Sequence, residues 1–264
     1  MMSEIPKSHP RYNSLISRER LVQASKDGLL AESAMIAHGR GEAFDYLLGE
    51  KTSASALKSI KEVAKRLKRA KNPVISINGN TAVLAGEDLI KIAATISCPI
   101  EINIYYRTPL RVSKLLNLMN KYKQKISKEE VPEKWKAEEW VRRINSVKIL
   151  GENCKGKIIG LEGPRSICSL DGIGKADVVL VPLEDGDRCE ALVELGKEVL
   201  VIDLNPLSRT ARKATVTIVD EVSRASKLLL EEVSNVESED ISWDNDKVLM
   251  DSLKIISNSV NRIK

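Results

Sequence analysis

Six short runs rich in β-branched residues punctuate the chain between residues 74 and 219, and helical patterns fill the gaps between them. The runs are 74–77 (VISI), 100–105 (IEINIY), 147–150 (VKIL), 177–181 (DVVLV), 199–203 (VLVID) and 215–219 (TVTIV). Most are apolar nearly throughout and do not alternate, as strands covered on both faces require. Helical spacing appears over 53–70, 87–96, 109–121, 188–195 and 208–212, and again over 220–233. Strand and helix in alternation build βαβ crossovers of fixed hand, so the chain is predicted to fold as an α/β protein with a doubly wound, mostly parallel sheet.

The ends read differently. Residues 10–48 carry no strand signal and suggest two helices, over 13–26 and 29–38, followed by a glycine loop, HGRG. The organisation expected is an N-terminal helical segment, 1–50, packed on a main domain, 51–234. Within it the polar stretch 122–146, with Trp135 and Trp140, reads as an insertion or surface excursion. From 235 an acidic linker leads to a last helix near 247–260 with Leu249, Leu253, Ile256 and Val260 on one face. That stripe must dock on the chain's own core or on a second copy.

Composition narrows the function classes. With 264 residues, 42% of them apolar and 30% charged, a sizeable core and a charged cover are both available. No apolar run approaches the roughly 18 residues that span a bilayer. The first thirty residues carry Lys7, Arg11, Arg18 and Arg20 with no apolar h-region, so neither a membrane span nor a secretory signal is expected. The four cysteines have no CxxC spacing and read as reduced thiols of a cytoplasmic protein. Net charge is +5, from 42 basic against 37 acidic residues. Much of the excess lies in 51–71, where Leu57, Ile60, Ala64 and Leu67 recur at helical spacing. This reads as the solvated face of a packed helix. Aromatics are only 3% and none interleaves with the patch, which argues against nucleic acid as a partner.

Several turns carry residues suited to anion chemistry. GENCKGK at 151–157 fits most of a P-loop, but Ile158 stands where a metal-binding Ser or Thr belongs, and KIIGLEGP follows in place of a helix. It reads as a glycine-rich surface loop. In HGRGEAF, Gly39 and Gly41 flank Arg40, whose planar fork suits phosphate or carboxylate, and His38 precedes them; a plain helix connection is the alternative. NGN, with Asn78 and Asn80, ends one strand run where doubly wound folds place ligands. Asn103 and Arg107 follow the next run and can face the same crevice, while Glu101 is either a surface residue or a site carboxylate. EDGDR packs Asp185, Gly186, Asp187 and Arg188 into a βα turn. Its acids can hold Mg²⁺ or ribose hydroxyls, or cap the next helix. Asp203 ends a run about where dinucleotide folds place a ribose-binding acid. Leu204 and Asn205 follow it, and Ser208 and Arg209 open a helix that can receive an anion.

IPKSHPRY at 5–12, MIAHGRGEAFDYLLGE at 35–50, NPVISINGN at 72–80 and EINIYYRT at 101–108 form an ordered set. KADVVLVPLEDGDRCEALV at 175–193, VIDLNPLSRTAR at 201–212 and VTIVDEVSRA at 216–225 complete it. The set resembles the archaeal phosphopantothenate synthetases over roughly 5–225, while 122–146 and the tail match poorly. The resemblance implies a homodimer with a Rossmann-like fold that uses ATP and Mg²⁺. It implies coupling of 4-phosphopantoate to β-alanine, giving 4′-phosphopantothenate, AMP and pyrophosphate in coenzyme A biosynthesis. It places ATP at Arg18, Arg40, Asp185, Gly186, Asp187, Arg188, Asp203, Leu204 and Asn205.

The chemistry fits. A carboxylate becomes an acyl donor once adenylated, and the protein's task is to align two mutually repelling anions and neutralise charge between them. His38 and Arg107 are the expected catalytic candidates, with Asn78, Asn80, Asn103, Ser208 and Arg209 toward the substrate; metal ligands stay unassigned. Two other classes compete. An oxidoreductase is allowed by the fold but lacks a full G-x-G-x-x-G. A nucleic-acid binder using 51–71 would leave HGRG, NGN, DGDR and DLNP unexplained.

Overall fold

A computed structural model describes residues 5–235 and 242–263. All six strand runs are strands: β1 (Pro73–Ile77), β2 (Ile100–Ile102), β3 (Ile149–Leu150), and, after a short pair β4 (Gly156–Lys157) and β5 (Ile167–Cys168), β6 (Val178–Pro182), β7 (Glu198–Ile202) and β8 (Val216–Ile218). They form one sheet in the order β3-β2-β1-β6-β7-β8. Every neighbouring pair in it is parallel, with Ile75 opposite both Ile100 and Leu180. The Rossmann-like, doubly wound expectation is met. From β1 the chain winds outward to β3, then returns to lay β6 on the other side of β1. Between β1 and β6 the winding reverses, which opens a crevice at the carboxyl ends of the strands.

Both sheet faces are covered, which is why the strands are apolar throughout. Leu180, Leu200 and Ile202 face one core and Val179, Val181, Val199 and Val201 the other. The first face carries α3 (Ala54–Arg69), α4 (Gly79–Ile96), α5 (Pro109–Ile126), α6 (Ala137–Ser146) and α9 (Val222–Ser234); the second carries α7 (Gly186–Glu194). The basic stretch is helix α3, started by Ser53, whose Oγ accepts from Ala56 N. Its buried face holds Ile60, Val63, Ala64 and Leu67 against α9 and β8. Leu57, expected on that face, is 43% exposed, because it lies at the edge of the buried stripe, whose centre runs through Ala56, Ile60, Val63 and Leu67.

Two expectations change and one open alternative is decided. The stretch 122–146 is part of the β2-to-β3 crossover, not a mere surface excursion: Ile126, Trp140 and Ile144 are buried in the main core, and Trp135 stacks on Trp140. The last helix, α10 (Asn245–Ser257), docks on its own chain, against α2 (Ser33–Leu48), α3, α8 (Arg209–Lys213) and β8. Part of the acidic linker ahead of it falls outside the described residues. Third, the glycine loop is absent: after α1 (Tyr12–Lys26), α2 runs unbroken over Ser33–Leu48, through His38, Gly39, Arg40 and Gly41. The helix stops only at Gly49, whose φ of 93° is left-handed. The glycines of HGRG therefore spend their backbone N–H groups inside a helix, and side chains alone present this motif to a ligand. All four cysteines are free, and no described helix is long and apolar enough to cross a membrane.

Candidate active site at the switch point

The crevice holds a cavity of about 400 Å³. Its floor is built by backbone turns that cap one another. Asn78 ends β1 and caps α4: its Oδ1 accepts from Thr81 N at 3.0 Å, and its Nδ2 donates to Leu183 O at 2.7 Å. Thr81 Oγ1 reaches Pro182 O at 3.1 Å. These bonds tie the end of β1 to the end of β6 across the switch point. The N-terminus of α4 opens into the cavity, and Gly79 is needed there, since a Cβ would lie 2.7 Å from Leu30 Cδ2.

Helix α2 forms the opposite wall. It is held by Asn80 Nδ2 donating to Ala34 O at 3.0 Å, and by Asp45, which receives Arg224 at 2.6 and 3.1 Å. Arg224 also reaches Asp220, and this double pairing raises its pKa well above the ordinary guanidinium value. At one end of the helix Leu48 packs with Leu204 and Leu249. So held, α2 turns His38, Arg40 and Glu42 to the cavity. Arg40 is exposed and makes no ion pair or hydrogen bond with described residues. His38 Nε2 is buried without a hydrogen-bond partner among the described residues, 4.0 Å from Glu42 Oε1. Burial lowers the His38 pKa against the pull of Glu42, which favours the neutral ring. Burial would raise Glu42, but hydrogen bonds from Arg18 and Ser14 hold its carboxyl below the ordinary value.

Of the residues singled out in the sequence, His38, Arg40, Asn78, Asn80, Asp185 and Leu204 line this cavity. Others sit behind it or beside it. Arg18 stands one step back, its Nε on Glu42 at 2.8 Å. Asn103 does not face the crevice: it is buried and donates to Ile167 O at 3.0 Å and Arg165 O at 3.4 Å. Arg107 turns away to the Gly151 carbonyl. Glu101 is neither surface nor cavity; wholly buried, it accepts from Ser169 N and Ile173 N, and burial raises its pKa.

The two acidic turns are tightly self-bonded. Arg188 is buried, paired with Glu184 and bonded to Ser76 at 3.1 Å, so its guanidinium cannot reach a cavity ligand as placed. Gly186 allows α7 to approach α8, since a Cβ would lie 2.5 Å from Arg209 Cβ. Asp187 is exposed beside it, its Oδ1 accepting from Arg188 N. Asp203 accepts from Asn205 N and Ser208 Oγ, Asn205 from Leu207 N, and Ser208 caps α8 through Ala211 N. Arg209 pairs on the surface with Glu190.

Sequence reasoning missed several cavity residues. Arg165 comes from the loop set aside with the failed P-loop, whose Gly156 and Lys157 in fact form β4. Arg111, Tyr105 and Tyr106 come from the quoted EINIYYR run and the helix after it. The one local signal for Arg165 is the Gly163–Pro164 turn before it; the strand that follows, β5, pairs with β4 outside the six-stranded sheet. Among the described residues no group of three or more His, Cys, Asp or Glu could hold a metal ion.

A parallel sheet with an arginine-bearing cavity at its switch point places the chain among the doubly wound α/β proteins that bind ligands at strand carboxyl ends. The particular family follows from comparison: the chain belongs to the phosphopantothenate/pantothenate synthetase family, which matches residues 55–264. It is 42% identical over 270 residues to a protein of Thermococcus kodakarensis named 4-phosphopantoate–β-alanine ligase, covering 99% of this chain and 95% of that one. A protein of the same name from Methanospirillum hungatei is 46% identical over 221 residues, covering 84% and 81%. The chain is an enzyme of this family.

Proposed function

We propose that this enzyme joins 4-phosphopantoate to β-alanine at the expense of ATP, forming 4′-phosphopantothenate in coenzyme A biosynthesis. The observation that carries this reading is the 42% identity to a ligase of that name over 99% of the chain. The cavity suits the substrate. Arg40, Arg111 and Arg165 offer cations to a phosphate and a carboxylate, and Leu29, Leu84 and Leu183 offer an apolar wall to a branched carbon chain.

The nucleotide lies toward the turns after β6 and β7, with Asp185 and Asp187 on its ribose or metal and Arg40 on its phosphates. Mg²⁺ accompanying ATP would neutralise phosphate charge, and Asp185 or Asp187 would be the carboxylate to share it, since Mg²⁺ is commonly bound through substrate phosphates and one or two carboxylates. The substrate carboxylate attacks the α-phosphorus and pyrophosphate departs. The β-alanine amine then attacks the acyl carbon, loses a proton, and displaces AMP. His38, neutral and unpartnered at Nε2, is suited to accept that proton.

The enzyme works in the cytoplasm as a homodimer, and the exposed apolar side chains of Ile36, Tyr46 and Leu47 on α2 offer it a surface. Light scattering at micromolar concentration should give twice the 29.3 kDa chain mass. For the reaction, purified protein with MgATP, 4-phosphopantoate and β-alanine should yield AMP, pyrophosphate and 4′-phosphopantothenate. ADP and inorganic phosphate as products would overturn the adenylate route.

A further inference from the structure

Of the three arginines lining the main cavity, only Arg165 is buried; its side chain is 10% exposed. Its Nη2 meets Glu184 and its Nη1 meets Asp185, while its Nε is buried with no hydrogen-bond partner among the described residues. Native proteins leave few buried donors unmet, and this one belongs to a residue that lines the cavity.

Everything around this guanidinium fixes its place. Glu184, which holds Nη2, is itself held by Arg188, and Arg188 is bonded to Ser76 on β1. The Arg165 backbone is tied to the sheet from the other side, through Asn103. Asp185 links the guanidinium to the turn after β6, while Asn78 and Gly79 open α4 into the same cavity. Arg165 therefore stands between the nucleotide side and the α4 side.

We propose that Arg165 is a catalytic residue of the ligation: its guanidinium binds the carboxylate of the phosphorylated acid as that group meets the α-phosphate of ATP. This rests on the ligase reading above. In the step, a carboxylate oxygen bonds to the α-phosphorus, and the bond from that phosphorus to the α–β bridging oxygen breaks. Pyrophosphate leaves with the electron pair, and no proton moves. Two anions must come within bonding distance, and a cation already fixed between them lowers that barrier without reorganising. Glu184, Arg188 and Asn103 act as positioning residues, through Arg165.

Exchange of labelled pyrophosphate into ATP, with 4-phosphopantoate and without β-alanine, isolates this step. Arg165→Lys keeps the charge but not the fork, and should slow exchange by about 10²–10³-fold, the usual effect of losing one transition-state donor. The ATP-induced rise in thermal midpoint should persist. Arg165→Ala should lose at least as much and regain part of it with millimolar guanidinium chloride, a recovery that a merely structural role would not give. If Arg165→Ala does not fold, Arg165→Lys decides alone. Exchange by Arg165→Lys within about threefold of an active wild type overturns the assignment and leaves the ligase reading standing. A wild type that makes no 4′-phosphopantothenate overturns both.

Discussion

Arg188 and Glu184 form an ion pair in which neither side chain is exposed to solvent, four residues apart across the start of α7. The pair stands behind the cavity wall, because the other oxygen of Glu184 holds Arg165. An arginine in an acidic turn looks like a ligand residue in sequence, yet here it serves the site from inside the core.

That arrangement makes Arg188 a stability residue first. Arg188→Ala would leave Glu184 buried with Arg165 as its remaining partner. Breaking a buried pair costs about 3–5 kcal/mol. Urea denaturation should show a loss near the lower end of that range, and a loss below about 1 kcal/mol would refute the role.

His38 gives a pH test. Burial holds its folded-state pKa below the ordinary value of 6.5. As pH falls below about 6.5, the unfolded chain takes up the proton before the folded one does. The stability contributed by a neutral His38 is thus complete above that pH and is lost as pH falls toward the folded pKa. In His38→Gln the loss is absent. Thermal midpoints of wild type and variant, compared from about pH 7.5 to about pH 5.5, should converge or cross in favour of the variant as the solution is acidified. Parallel curves would show that His38 does not titrate there.

Arg40 has no partner among the described residues, so its replacement should affect ligands alone. A charge-assisted hydrogen bond is worth roughly 1.5–3 kcal/mol. Arg40→Lys should therefore lower kcat/KM by about ten- to a hundredfold, leave the thermal midpoint of the free enzyme nearly unchanged, and weaken stabilisation by ATP. Full activity with full ATP stabilisation would remove Arg40 from the site.

Lys58 and Lys61 point to solvent from α3, whereas Lys68 donates to Asn235 O. Changing Lys58 and Lys61 together to Gln should leave activity within about twofold, as surface substitutions commonly shift stability by no more than about 0.5 kcal/mol. A large loss in a folded protein would assign the basic face to an anionic substrate.

The strand runs were legible because a strand buried on both faces leaves a local mark, an unbroken apolar run such as DVVLV, and because parallel pairing follows from the helices between such runs. Asn78 was legible only as a polar residue at a strand end; that it caps α4 was not, because helical spacing was clear only from residue 87 and the helix starts at Gly79. HGRG misled because two glycines lower helix propensity by only about 1 kcal/mol each, a cost that α2 offsets through contacts with Leu204, Asn80 and Arg224, all made by tertiary packing. What the sequence determined by itself was the α/β class, the family and the strand ends where a ligand would sit, since all are written in neighbouring residues. Which arginine faces the ligand was decided by the tertiary structure alone. Arg165 and Arg188 differ only in which side of Glu184 each occupies, and that side is set by a sheet that brings residues 76, 165 and 184 together from distant parts of the chain.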